Sequence, residues 1–425
     1  MTKLPTNWKF IAFTALAYAA IFWPKFTTLP HGNIGKVDTT DAPMFAIGLA
    51  HAHPGAWLHG AWVGGNDFYR PLASLGIYAM YRAFGINGLS DFQCVLIISH
   101  AAACFVVFGL FMSLFRPIVA TVAAIVFASG ITDVIGLPSA NYGINLWFDV
   151  LEPWVAIAIL SSAWAMTHYL KSKNRIALCG SVALCVIACL IKETGFLTPL
   201  VILWILIVQK SKQWALAIPH CVAVAAIVVY RTIIFHGRGA HYGSNGSWLT
   251  RSVSYMFGTF GAQIVNHNLD SIVLAAFITA VALAAMRRKS AAVAAVTFIA
   301  LLLADGYLLG LGAVINIARL TMPQDYPIAL PLLNSMPLFV LACVAYFMRR
   351  SIESLQGLAL AIILFLPLLT APITAHALYQ PAIGWALIFG GCLAAALASQ
   401  PRRPLDDRET LLHVPEQIPQ VAGVE

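Results

Sequence analysis

Two carboxylates stand three residues apart in Asp38-Thr-Thr-Asp41, just ahead of an apolar stretch. Asp41 is placed to cap a helix, its side chain accepting a backbone N–H. The chemical alternative is a general base: a carboxylate within hydrogen-bond reach of an attacking hydroxyl can take its proton as the new bond forms. Arg70 precedes Pro71, and proline is a normal first residue of a helix. An arginine held there has a planar fork suited to a phosphate, or it anchors the chain to anionic lipid. Lys192-Glu193 is a charged pair between two apolar runs, a costly place that marks functional residues. The two ion-pair with each other, or Glu193 holds a phosphate-binding Lys192. A third cationic stretch contains Arg231, His236, Arg238 and His241, interleaved with Gly237, Gly239, Gly243 and Tyr242, and suits an anionic ligand. His51, His53 and His59 lie beside Trp57 and Trp62, but no HxxxH or HExxH pattern accompanies them. No metal site is therefore expected, and these histidines are expected at an interface or on a substrate.

The composition decides what must position these groups. Of 425 residues, 60% are hydrophobic and only 10% charged, with a mean hydropathy of +0.82. A soluble chain of this length cannot hide so much apolar surface in its core, so the bilayer must be its solvent. Runs long enough to cross the hydrocarbon lie near 9–23, 92–115, 117–136, 152–170, 176–191, 194–209, 214–230, 271–286, 291–310, 328–348, 355–375 and 382–399, which makes about twelve spans. The expected fold is an all-α polytopic membrane protein over residues 1–399, followed by a disordered cytoplasmic tail over 400–425. Lys3 and Lys9 before the first run, and Ala17-Tyr18-Ala19 within it, imitate a signal peptide, but an uncleaved anchor is expected. The eight cysteines fall almost wholly in apolar runs and contain no CxxC, which suits small core residues.

The net charge of +8 would suggest nucleic acid in a soluble protein, but here its distribution sets the orientation. With both termini in the cytoplasm, the short inner turns carry Arg116, Lys171, Lys173, Arg175, Lys210 and Lys212, and most carboxylates fall outside. The large first outer loop, 24–90, is expected to contain two interfacial helices, near 42–49 and 72–84, too short to span. A second large outer loop covers 231–270. His100 and His376 are expected to make hydrogen bonds between packed helices.

Tyr69-Arg70-Pro71-Leu72, then Tyr78, Phe84-Gly85-Ile86-Asn87 and His100, resembles the first-loop region of the GT-C glycosyltransferases. The similarity is greatest to the protein O-mannosyltransferase and TMTC-like branch and its bacterial relatives. Lys192-Glu193 followed by Pro199 is similar to their KE…P segment, and Tyr230-Arg231 with Gly237, Gly239 and Tyr242 to their Tyr/Arg…Gly-rich stretch. The three motifs occur in order over roughly residues 35–245. The resemblance implies a sugar transferred with inversion from a polyprenyl-phosphate donor to a hydroxyl of a protein, lipid or glycan, on the outer face of a bacterial inner membrane. It implies Asp41 or Asp38 as the base, and Arg70, Lys192 and Arg231 at the donor phosphate. Tyr69, Glu193, His53 and Tyr242 would contact substrate, and participation of a divalent cation is left open. The acids are not adjacent as in the family, and Ala103 stands where an Asn is usual. Membrane lipid is the expected surrounding and nucleic acid is not an expected partner. Two alternatives remain at this level: a secondary transporter, whose charges would sit at midplane on broken helices in two related halves, and a non-catalytic relative that only binds polyprenyl lipid.

Overall fold

The computed structural model describes residues 7–36, 41–51, 53–60, 63, 68–130, 147–235, 351–366 and 379–398. Asp38, Trp62, Tyr242, His376, the expected spans at 271–286, 291–310 and 328–348, and the tail from 400 lie outside them. Among the described residues the structure is helical, with one isolated bridge between Gly32 and Gly88. The helices are α1 (Trp8–Thr27), α2 (Asp41–Ala50), α3 (Pro71–Phe84), α4 (Leu89–Leu114), α5 (Pro117–Ser129), α6 (Leu151–Ser172), α7 (Arg175–Ile191), α8 (Thr198–Val208), α9 (Ile218–Ile234), α10 (Ile352–Phe365) and α11 (Tyr379–Ala398).

Local chemistry sets several boundaries. Pro71 and Pro117 open α3 and α5, where a missing N–H costs nothing. The Asn174 side chain caps α7 by accepting from the Ile176 N–H at 2.9 Å. Gly130, at φ 63°, ends α5 in the left-handed conformation that suits glycine.

Among the described residues, three helices are long and apolar enough to cross a membrane: Trp8–Thr27, Leu89–Leu114 and Trp214–Ile234. The first and third expose much of their apolar surface, including Phe13, Leu16, Ile218 and Ile233, as a lipid-facing helix would. By contrast α4 is central. Phe92, Leu96, His100, Ala103, Val107 and Leu110 repeat at three- and four-residue spacing along one fully covered face. The expected hydrogen bond of His100 is present: its Nδ1 lies 2.7 Å from the Tyr379 hydroxyl of α11. Tyr18 of α1 donates to the Cys104 carbonyl of α4 at 2.9 Å. Of the cysteines, Cys104, Cys185, Cys189 and Cys392 are buried, whereas Cys179 and Cys221 are exposed.

Short connections join α4 to α5, α6 to α7, α7 to α8 and α8 to α9, and the charged ends of these helices segregate. At one end Arg116 pairs with Glu353 at 2.8 Å, Lys171 donates to the Ser113 carbonyl at 2.7 Å, and Lys173 donates to Gln213 at 3.3 Å. Glu152, Lys192, Glu193 and Arg231 lie at the other end, together with the first loop. There α2 and α3 match the two short helices expected in that loop. Gly48 of α2 lies against the Val63 carbonyl, and the Val63 N–H donates to Ser74 of α3 at 3.0 Å. These contacts fold the loop on itself, and Arg70 ties it to the bundle through Glu193.

Candidate functional site

Arg70 sits immediately before α3, its backbone set by Pro71 at the helix start and its carbonyl accepting from the Ser74 N–H at 3.0 Å. The side chain is buried, and its guanidinium lies 4.1 Å from the centroid of the Phe68 ring. Its Nε and Nη2 both donate to one oxygen of Glu193, Oε2, at 2.9 and 2.5 Å. The other oxygen, Oε1, is 4.0 Å from Arg231 Nη1 at the end of α9. That is an ion-pair distance but too long for a hydrogen bond.

The break between α7 and α8 makes this possible. At Lys192 the backbone leaves α7 in an extended conformation, φ −158° and ψ 153°, before the 3₁₀ turn Glu193–Leu197. A Cβ on Gly195 would collide with the backbone of Ala188 and Cys189, so the reversal packs this closely only with glycine there. Adjacent side chains on an extended backbone diverge. Lys192 and Glu193 accordingly do not form the mutual pair expected from sequence. Lys192 instead pairs with Glu152 in the first turn of α6, whose other oxygen accepts from Gln380 Nε2 of α11 at 2.5 Å. The expectation of a Lys192 held by Glu193 is thus corrected: two buried ion pairs form, each with a partner from a different helix.

Two Tyr-Arg dipeptides, Tyr69-Arg70 and Tyr230-Arg231, meet across Glu193. The tyrosine rings pack edge to face with centroids 5.6 Å apart. Both hydroxyls donate to the Leu58 carbonyl, Tyr69 at 3.2 Å and Tyr230 at 3.3 Å. His59 Nδ1 lies 3.2 Å from the Tyr230 hydroxyl. Burial, and then the neighbouring Tyr230, push the Tyr69 hydroxyl above its ordinary range, so it stays a neutral donor. Burial also pushes the Glu193 carboxyl up, but the charge and hydrogen bonds of Arg70, with Arg231 beyond, outweigh it and hold Glu193 below the usual carboxylate range. Glu193 is therefore an anion that fixes two cations.

The structure brings together Tyr69, Arg70, Glu193 and Arg231 from the sequence-predicted set. His53 is exposed and precedes the 3₁₀ turn Pro54–Leu58 without a side-chain cap; His59 is the histidine that reaches the tyrosines. Trp57, a candidate for stacking on a sugar, is buried with its ring 5.5 Å from Tyr78. Asp41 is the first residue of α2, on the same end of the molecule. Sequence reasoning missed Glu152 and Gln380 as members of the network. The signal for Glu152 was an acid at the mouth of an apolar run; Gln380 had none. No group of three His, Cys, Asp or Glu placed to share a metal ion occurs among the described residues. Compared with known protein families, curated proteins and solved structures, the chain matches none.

Proposed function

We propose that this chain is a GT-C-type membrane glycosyltransferase of about twelve spans, with the carboxylate-bearing end outside and both termini in the cytoplasm. Sugar passes from a polyprenyl-phosphate donor to an acceptor hydroxyl. The acceptor oxygen attacks the anomeric carbon from the face opposite the phosphate, and the bond from that carbon to the phosphate oxygen breaks with inversion. The bonding pair leaves with the lipid phosphate, and the hydroxyl proton passes to Asp41 or Asp38. A phosphate is a good leaving group once cations stabilise the charge it gains. Arg70 and Arg231 share the single carboxylate of Glu193, which leaves a net positive charge, and are the cations assigned to it; Lys192 is paired one to one with Glu152 and is assigned to the scaffold.

The observation that carries this reading is the convergence of two Tyr-Arg dipeptides, from positions 69–70 and 230–231, around one buried carboxylate at the end of the bundle where the first loop folds back. A buried and a partly buried arginine side by side suit a phosphate headgroup.

The test is sugar transfer from a labelled polyprenyl-phosphate hexose in vesicles carrying the full chain, with Asp41→Asn and Asp38→Asn as separate variants. Removing the base is expected to lower the transfer rate by about 10²–10⁴-fold in one of them. Full activity in both refutes the base assignment. Solute uptake by the vesicles without a glycosylated product would favour a transporter instead.

A further inference from the structure

We propose that the end of the bundle opposite the Arg70–Glu193 site holds an anionic phospholipid, its headgroup seated where the α6–α7 turn meets the α8–α9 turn. The two turns join where Lys173 Nζ donates to Gln213 Oε1 at 3.3 Å. The same ammonium lies 5.6 Å from the centroid of the Tyr169 ring, which holds it at the surface. Arg175 stands two residues beyond Lys173; Lys212 is next to Gln213, and Lys210 is two residues before it. All four cations are exposed. Among the described residues none of them forms an ion pair, and Glu353, an acid at this end, is taken by Arg116 at 2.8 Å. Positive charge is thus concentrated around one contact between turns, with no carboxylate among the described residues to balance it.

Helix fields do not account for the cluster. They favour a cation just after α6 and α8, where Lys173 and Lys210 stand, but disfavour one at the first residue of α7, where Arg175 stands. An anion shared by the two turns removes that conflict. The surroundings select a lipid over a soluble anion. Each cationic turn runs directly into exposed apolar side chains: Arg175 into Ile176, and Lys212 into Trp214 and Ile218. Helices α7 and α9, which carry Ile176 and Ile218, are neighbours, joined by Ser181 Oγ and His220 Nε2 at 2.9 Å. Cations bordering an apolar surface match an amphiphile, whose phosphate meets the charges and whose chains cover the apolar residues. Tryptophan at that border suits headgroup depth. In the orientation proposed above, this lipid lies in the cytoplasmic leaflet, and its binding is independent of the reaction at the other end.

The experiment measures binding of single lipids to the full chain in detergent by native mass spectrometry. Its probes are phosphatidylglycerol, which is anionic, and phosphatidylcholine, which carries no net charge. Phosphatidylglycerol is expected to bind the unaltered protein about tenfold or more tightly. Arg175→Gln/Lys212→Gln removes two exposed cations without breaking an ion pair among the described residues. It is expected to lower phosphatidylglycerol affinity by about fivefold or more for each cation. Phosphatidylcholine binding should stay as it was, which also reports that the variant is folded. Lys36→Gln/Arg82→Gln removes the same charge from the first loop, at the other end, and is expected to change neither affinity. Equal binding of the two lipids by the unaltered protein overturns the inference, and that comparison stands even if a variant does not fold. An equal loss in both double variants also overturns it, since net charge and not a site is then responsible. Glycerol phosphate competing as strongly as the lipid assigns the cluster to a soluble anion. Lipid binding that emerges only once residues 404–425 are removed assigns it to that acidic segment; either result overturns the proposal.

Discussion

Replacing Arg70 with Gln tests whether Glu193 is held as an anion between two cations. The substitution removes the 2.9 and 2.5 Å hydrogen bonds to Oε2 and leaves a carboxylate whose side chain is only 21% exposed. Breaking a buried ion pair from one side costs about 3–5 kcal/mol. Arg231 remains 4.0 Å from the other oxygen, and with an effective dielectric constant near 20 such a charge contributes attraction of about 4 kcal/mol before further solvent screening. The net loss at neutral pH is therefore expected at the low end, about 2–3 kcal/mol. Glu193→Gln is expected to cost a similar amount, because it strands Arg70. The double variant should lose less than the sum, with a coupling of about 1.5–3 kcal/mol.

The same perturbation changes the pH dependence. In the unaltered protein Glu193 titrates below its ordinary value, so its contribution is complete above the unfolded-state pKa, about 4.3, and fades only as pH falls through the lower folded value. Without Arg70, burial is the largest remaining influence and the carboxyl rises. The deficit of Arg70→Gln is then greatest at neutral pH and narrows on acidification, as Glu193 takes up a proton. Thermal unfolding in detergent, followed by circular dichroism between pH 7 and pH 4.5, reads both effects. A deficit that does not change with pH, or a double variant that is additive within about 0.5 kcal/mol, would refute the reasoning.

The packing makes two further predictions, both measurable by unfolding in detergent. A Cβ on Gly384 of α11 would strike the backbone of Ala361 in α10, so Gly384→Ala should destabilise by about 1–3 kcal/mol, whereas Gly180→Ala in α7, which meets nothing within 4 Å, should be neutral or stabilise by up to about 1 kcal/mol; equal effects would contradict the close α10–α11 contact. Tyr379→Phe removes the hydroxyl 2.7 Å from His100 and should cost about 1–3 kcal/mol, with His100→Phe in the same background recovering part of the loss; an undiminished midpoint in Tyr379→Phe would count against the bond.

Features that depend on neighbours in the chain were legible in the sequence. Pro71 and Pro117 mark helix starts. The apolar runs at 92–115 and 152–170 match α4 and α6 within a few residues. The two charges at Lys192-Glu193 coincide with the break between α7 and α8. The interest of Arg70, Arg231 and Glu193 could also be read, since a charge at the edge of an apolar run is expensive wherever the chain goes.

The partners of those charges could not be read in this way. Arg70 and Glu193 are 123 positions apart, and Glu152 and Gln380 are 228 apart. Which carboxylate neutralises which cation depends on which helix ends adjoin, and no local propensity encodes that. Sequence reasoning joined Lys192 to Glu193 because they are adjacent; the extended residue between α7 and the next turn sends them to separate partners. It favoured His53, while the fold of the first loop carries His59 to Tyr230. The sequence by itself determined an apolar, helical chain with its basic turns and acidic segments set apart, because burial and charge placement in a membrane are dictated residue by residue. Tertiary packing alone decided that two Tyr-Arg pairs share one carboxylate, because ion pairing in an apolar bundle is settled by contact between distant helices.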